Sequence, residues 1–169
     1  MYKFSYDDSA GIITLENENG HREVVAESFS SEPKLSPNSR KIVYITPLEW
    51  EVDSKLILLD LATGDRSELE LDIDKDTEKV KDVVWVDDSN LILIIGMLHG
   101  TVGVGGDIYR YNIKDKTLSK IVDCQSYKKQ AIKLQLEGDT IHYNIIEYID
   151  DMFNQHVFKK ESISLHSAF

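Results

Sequence analysis

Three short segments of this 169-residue chain set carboxylates beside aromatic rings or a histidine. The first is Glu49-Trp50-Glu51. The second is His99 and Asp107, which bracket a glycine-rich stretch. The third is Tyr148-Ile149-Asp150-Asp151, with Phe153 close behind. A ring among carboxylates offers a flat apolar face and an anionic rim, which suits a basic peptide, a basic protein face or a sugar. Glu49, Trp50, Glu51, His99, Asp107, Tyr148, Asp150 and Asp151 are therefore the candidate ligand-binding residues. The competing reading is that Trp50, Tyr148 and Phe153 fold back onto a core, as aromatic side chains commonly do. Asp150 and Asp151 could serve as a hydrolytic acid–base pair only if a loop turns both the same way, because neighbours on a strand point to opposite faces.

Other chemistries find less support. Gly96-Met97-Leu98-His99-Gly100-Thr101-Val102-Gly103-Val104-Gly105-Gly106 has the glycines of a phosphate cradle. It lacks the helix start and the Gly-Lys-Ser/Thr that such a cradle needs, and Asp107-Ile108-Tyr109 behind it reads as a strand. A mobile lid or a tightly turning hairpin extension is the expectation, with rapid amide exchange across Gly100–Gly106. Asp72-Ile73-Asp74-Lys75-Asp76-Thr77-Glu78 alternates carboxylates like a calcium loop, but Thr77 and Val83 stand where such a loop wants Gly and Glu, so a solvated acidic loop is expected. The five histidines show no metal-ligand spacing, and no Gly-x-Ser-x-Gly marks a serine nucleophile. Cys124 has no activating histidine near it in sequence. No catalytic residue, metal ligand or cofactor is assigned.

Nineteen basic against thirty acidic side chains give a formal net charge of −11. Such a chain is repelled by phosphate backbones and anionic lipid, which excludes nucleic acid as a partner and favours basic ones. A single cysteine permits no internal disulfide. The opening Met1-Tyr2-Lys3-Phe4-Ser5-Tyr6-Asp7-Asp8 has no apolar export core, and the longest apolar run, Leu91 to Ile95, is far short of the roughly 18 residues of a membrane span. As written, the chain reads as cytoplasmic. If an export signal or anchor once preceded it, the reading becomes extracytoplasmic.

Short Ile/Val/Leu/Tyr runs bounded by Gly, Asn, Asp and Ser must position these loops. One phrase recurs at a spacing of fifty: Leu35-Ser36-Pro37-Asn38-Ser39-Arg40-Lys41-Ile42-Val43-Tyr44-Ile45, then Trp85 to Ile95, then a weaker Gln135 to Ile145. Each copy is strand, tight turn, strand. A second hairpin follows each, turning at Ala62–Asp65, at Lys114–Lys116, and between His156–Lys160 and Ser162–Leu165. The units are thus four-stranded antiparallel meanders at about 33–71, 83–123 and 132–166, with a partial unit at 1–31, all in one domain. In the partial unit Ile12–Leu15 and Glu23–Val25 are read as strands three and four; taking the Tyr6–Ser9 turn as the one between strands one and two is the other option. Leu35, Trp85 and Leu136 are expected at equivalent inner positions, as are Tyr44, Ile94 and Asn144 or Ile145. Meander geometry sends the loops 46–54, 70–83, 96–107, 122–131 and 147–155 to one end, and tight turns to the other.

Leu-Ser-Pro-Asn-Ser-Arg-Lys-Ile-Val-Tyr, followed by Leu-Ile-Leu-Leu-Asp-Leu-Ala-Thr-Gly, resembles a TolB-type, WD40-like propeller repeat. The match is good over 33–69, fair over 83–122 and weak over 132–166. Asn38-Ser39 stands for the usual Asp-Gly, and no Trp-Asp pair is present. The Gly-Thr-Val-Gly-Val-Gly-Gly-Asp stretch resembles a small bacterial family of unknown function. The resemblance implies an all-β, small or incomplete propeller and no particular reaction. Three units and a part are few for a closed ring, and open sheet edges favour pairing of two copies into a homodimer. The function expected is a non-catalytic binding module whose acidic, aromatic-bearing loop face takes a basic peptide, a basic protein face or a glycan. The alternative is a hydrolase of glycans or peptides working through loop carboxylates.

Overall fold

The structure, a computed structural model, describes residues 1–168. Four antiparallel sheets follow one another along the chain. The first holds β1 (Lys3–Asp7), β2 (Ile12–Glu16) and β3 (Arg22–Ala26). The second holds β4 (Lys34–Leu35), β5 (Lys41–Thr46), β6 (Lys55–Asp60) and β7 (Arg66–Glu68). The third holds β8 (Glu78–Trp85), β9 (Asn90–Met97), β10 (Asp107–Asn112) and β11 (Thr117–Val122). The fourth holds β12 (Lys129–Glu137), β13 (Thr140–Tyr148) and β14 (His156–Ser164), after which Leu165–Ala168 form a helical turn, α1. Neighbours in sequence are neighbours in each sheet, so every sheet is a meander.

The tight turns are closed by short polar side chains that bond their own backbone. Asn17 Oδ1 accepts the N–H groups of Asn19 and His21. Asp60 Oδ1 accepts those of Ala62 and Thr63, Asp87 Oδ1 those of Ser89 and Asn90, and Asn112 Oδ1 those of Lys114 and Asp115. The turns also bond one another across sheets: Asn38 N–H donates to Asp88 Oδ1, fifty residues on, at 3.0 Å.

The apolar side chains fill three seams between successive sheets. Ile13, Leu15, Ile42, Tyr44 and Leu59 close the first. Val43, Ile45, Trp85, Leu91, Leu93 and Tyr111 close the second. Ile92, Ile94, Ile108, Ile141, Tyr143 and Ile145 close the third. β5 and β9 are buried on both faces, which is why they read as unbroken apolar runs rather than alternating ones. Buried polar tips cross the seams: Trp85 Nε1 donates to Lys34 O at 2.8 Å and Tyr111 Oη to Glu70 O at 3.1 Å.

Several details depart from the sequence reading. Leu35 pairs with Ile42, Trp85 with Leu91 and Leu136 with Ile141, so these three are equivalent in register. Yet Leu35 is 44% exposed, because the first sheet has only three strands and offers no inner strand for it to lie against. Tyr44 is matched by Leu93 and Tyr143, which face the preceding sheet, whereas Ile94 faces the following one. The turns shorten along the chain, and each lost residue flips the alignment to the opposite face. The Tyr6–Ser9 turn lies beside Phe29 and Ser30 at the loop end, since Ser30 N–H donates to Gly11 O. β2 and β3 are therefore strands three and four, and β1 is strand two. Ser162–Ser164 continue β14 and do not turn into a fourth strand. β8 and β12 begin earlier than expected, at Glu78 and Lys129, because each carries a bulge that breaks its alternation.

Candidate functional site

The connections 27–33, 47–54, 69–77, 98–106, 123–128 and 149–155 gather at one end and bond each other there. Leu48 N–H donates to Phe29 O, Leu98 N–H to Thr77 O, and Tyr148 N–H to Lys128 O. Among the described residues, thirteen large apolar side chains are exposed, and eight of them lie in these connections: Phe29, Leu48, Trp50, Val52, Val104, Tyr127, Ile149 and Met152.

Trp50 is 63% exposed and does not fold back onto the core. It lines a cleft of about 240 Å³ together with Leu48, Glu49, Glu51, Leu98, Gly100 and Val104. The floor is cationic. Lys79 and Lys81, two apart on β8, both line it. Lys79 is only 7% exposed, and its ammonium donates to Glu49 O at 2.5 Å and Val52 O at 3.2 Å. Lys81 donates to Gly103 O. Burial lowers the pKa of Lys79, with the nearby charges of Asp53 and Glu49 opposing the shift. Burial, then the charge of Lys79, brings the pKa of Lys81 down to about 8. Glu51 Oε1 accepts Gly100 N–H at 2.8 Å and so ties the two loops together. His99 is exposed at the cleft's edge, between Leu98 and Gly100.

Of the mobile lid and the tightly turning hairpin extension expected, the free lid does not describe the whole of the glycine stretch. Its far half is pressed onto β12. Gly106 and Ala131 form a two-way bridge, with N···O distances of 3.1 and 2.8 Å. A Cβ on Gly106 would stand 2.0 Å from Ile95 O, and one on Gly105 would stand 2.1 Å from Ala131 O, so the glycines serve close packing rather than mobility. Buried Gln130 pins the loop. Its Oε1 accepts Gly105 N–H at 2.8 Å, and its Nε2 donates to Val102 O at 2.9 Å and Tyr127 O at 2.6 Å.

A second, open hollow of about 500 Å³ lies on the other side of this loop, lined by Glu78, Met97, Asp107, Asp123, Tyr127 and Lys129 among others. Asp107 is occupied structurally. Its carboxylate pairs with Lys120 at 2.8 Å and accepts Cys124 N–H at 2.9 Å. The bond from Lys120 holds that ammonium above its ordinary range. Burial, then the charge of Asp107, pushes the Cys124 thiol up to about 11, the reverse of an activated nucleophile.

The third group sits on the last sheet. Tyr148 is buried, edge-on to Phe153 at 5.1 Å and to His156 at 5.8 Å, and Tyr127 stacks on Phe153 at 5.6 Å. Asp150 accepts the N–H groups of Gln155 and Asn154, which lower its pKa, and Asp151 pairs with Lys128. One carboxylate shapes the 149–155 turn and the other holds a neighbouring loop, so they do not converge as an acid–base pair. Asp74 likewise accepts Asp76 N–H within its own turn. Among the described residues no three His, Cys, Asp or Glu side chains are grouped to hold a metal ion.

The eight sequence candidates thus share one end of the molecule but fall into three separate places. Glu49, Trp50 and Glu51 line the cleft with exposed His99 next to its lining residues Leu98 and Gly100, Asp107 lies in the second hollow, and Tyr148, Asp150 and Asp151 cluster around Phe153. Lys79, Lys81 and Gln130 were missed. The available signal was Lys79-Val80-Lys81, two cations spaced to share one strand face in a strongly acidic chain.

Residues 48–165 match the profile of a domain of unknown function, DUF4652. The chain belongs to the DUF4652 family. No curated protein sequence matches it. Among solved structures, the chain is similar to a predicted conserved lipoprotein from Clostridium novyi NT, with 29% identity over 82% of this chain and 88% of that one, and a TM-score of 0.74. It is also similar to the β-propeller domain of the trilobed protease from Pyrococcus furiosus, described as having an open velcro topology; identity is 15%, coverage 96% and 52%, and the TM-score 0.53. A prolyl endopeptidase matches with 10% identity, coverage of 98% and 25%, and a TM-score of 0.60. The DUF4652 chain therefore spans about half of the Pyrococcus domain and a quarter of the endopeptidase. These last two likenesses establish the propeller-like fold and nothing of activity. Among the described residues no helix is long and apolar enough to cross a membrane.

Proposed function

We propose that this DUF4652 protein is a non-catalytic binding module working outside the cytoplasm, and that its loop end docks a protein partner bearing a basic face. The observation that carries the reading is the concentration of exposed apolar side chains in the connections of one end, eight of the thirteen among the described residues. Contiguous exposed apolar surface rimmed by polar groups marks interaction sites, and Trp and Tyr are the residues that most often anchor them. Trp50 and Tyr127 supply such anchors, and Glu49, Glu51, Asp150 and Asp151 supply the anionic rim. The extracytoplasmic placement rests on the likeness to the Clostridium lipoprotein.

The test is capture from a cell-envelope extract with immobilised wild type and with a Trp50→Ala, Tyr127→Ala, Glu49→Gln, Asp150→Asn variant of unchanged thermal stability. Proteins retained by the wild type, released by salt and absent from the variant are expected. Identical retention by both, or retention by neither, refutes the reading.

A further inference from the structure

Lys79 and Lys81 are placed at a cost. An ammonium taken from water is stabilised only where partners replace its hydration. Among the described residues, the hydrogen-bond partners of these two are backbone carbonyls, Glu49 O and Val52 O for Lys79 and Gly103 O for Lys81, and the carboxylates of Asp53 and Glu49 lie near enough to Lys79 to act on its charge. An ammonium carries three N–H donors. Both side chains line one cleft, so an anion held there is within reach of the two ammonium groups. The charge of Lys79 acts against that of Lys81, whose shift no carboxylate among the described residues opposes, so Lys81 has the more to gain from an anion held between them.

We propose that the cleft beneath Trp50 binds the carboxylate of a small organic acid, with Lys79 and Lys81 holding the anion and Trp50 covering the ligand's ring or apolar body. The size and charge of the cleft select this class. At about 240 Å³ it lies below the 300–1,000 Å³ typical of drug-sized ligands, which points to something like a single sugar acid or N-acylated amino acid. Glu49 and Glu51 stand in the walls, so a doubly charged phosphate meets repulsion that a monoanion meets less. The same walls offer acceptors for a ligand's hydroxyl or amide N–H groups. This site shares Trp50, Glu49 and Glu51 with the docking face but takes its anion on Lys79 and Lys81, so binding of a small acid and capture of a protein partner are read separately and either can fail without the other.

The experiment titrates wild-type protein by calorimetry with sodium glucuronate, N-acetylglycine, glucose and inorganic phosphate at constant ionic strength. A parallel readout follows acylation of Lys81 at pH 8 by mass spectrometry, with exposed Lys55 as internal reference. Saturable binding of glucuronate or N-acetylglycine at about 1 mM or tighter is expected, with none by glucose. Stronger response to glucuronate identifies a sugar acid, and stronger response to N-acetylglycine identifies a peptide-like carboxylate. Bound carboxylate slows acylation at Lys81 and not at Lys55. Lys81→Met weakens binding roughly tenfold or more, the loss of a charge-assisted hydrogen bond, while Lys81→Arg retains part of it. Tighter binding of phosphate than of both carboxylates, no binding up to about 50 mM, or an unchanged Lys81 acylation rate at saturation overturns the proposal. The acylation readout needs only the wild-type chain, so it decides even if Lys81→Met unfolds.

Discussion

Replacing Gln130 by Ala should loosen the glycine stretch while leaving the three seams packed. The side chain makes three bonds, one accepted from Gly105 N–H and two donated to Val102 O and Tyr127 O. Truncation strands the Gly105 N–H, which is buried, and an unpaired buried donor costs about 1–3 kcal/mol. The two carbonyls lie nearer the surface, where water can replace the lost donors, so each adds no more than about 0.5–1.5 kcal/mol. A local cost of about 2 kcal/mol corresponds to roughly thirtyfold in an opening equilibrium. Amide exchange followed by NMR is the direct assay. In the wild type, Gly105 and Gly106 should be strongly protected, since both N–H groups are bonded to residues of β12. In Gln130→Ala, Gly105 should exchange some thirtyfold faster by the same arithmetic, with Leu93 and Ile94 of β9 little changed. Exchange of Gly105 and Gly106 at free-peptide rates in the wild type would show that the stretch is the mobile lid its composition suggests. An unchanged rate in the variant would show that Gln130 is not what holds it.

Trp85→Ala should cost about 3–5 kcal/mol in denaturant unfolding, because it empties the second seam and strands Lys34 O; a loss below about 1 kcal/mol would contradict the packing described, as core truncations cost well above that. Lys81 also predicts a pH signature. Its folded pKa of about 8 lies below the ordinary 10.5, so between those values the unfolded chain binds more protons and stability must rise with pH. Wild type should therefore gain on Lys81→Met as pH increases from about 8 to 10.5, and parallel stability curves for the two proteins would contradict the burial of that ammonium.

The fold was legible where residues act locally. Asp60, Asp87 and Asn112 bond their own turns, and turns of that kind announce themselves in any sequence. What stayed hidden depends on partners far along the chain. Leu35 and Trp85 look alike as the strand residues before a turn, yet only Trp85 finds an inner strand on the sheet behind it. The floor of the cleft was illegible because the bulge between Val80 and Asp82 disguised the start of β8 as loop. The glycines of 96–106 read as freedom because a glycine chosen for flexibility and one chosen for close approach are identical in sequence. Gln130, the residue that tells them apart, lies 25 positions from Gly105. The candidate loops were correctly sent to one end by meander geometry, but their division into three places follows from which side chains the loops use to bind each other.

Among the described residues each seam joins two successive sheets, which makes the molecule a linear stack in energetic terms. A disturbance in the first sheet can reach the last only through two intervening layers, so the ends can fray while the centre holds. Like the second sheet, the β8–β11 sheet is a layer that both its neighbours need. It shares one seam with the second sheet and another with the fourth, and it carries Lys79 and Lys81 together with the loop that Gln130 grips from the fourth. A molecule held in the cleft would touch both the 47–54 connection of the second sheet and the third sheet, and so would brace the stack at its middle.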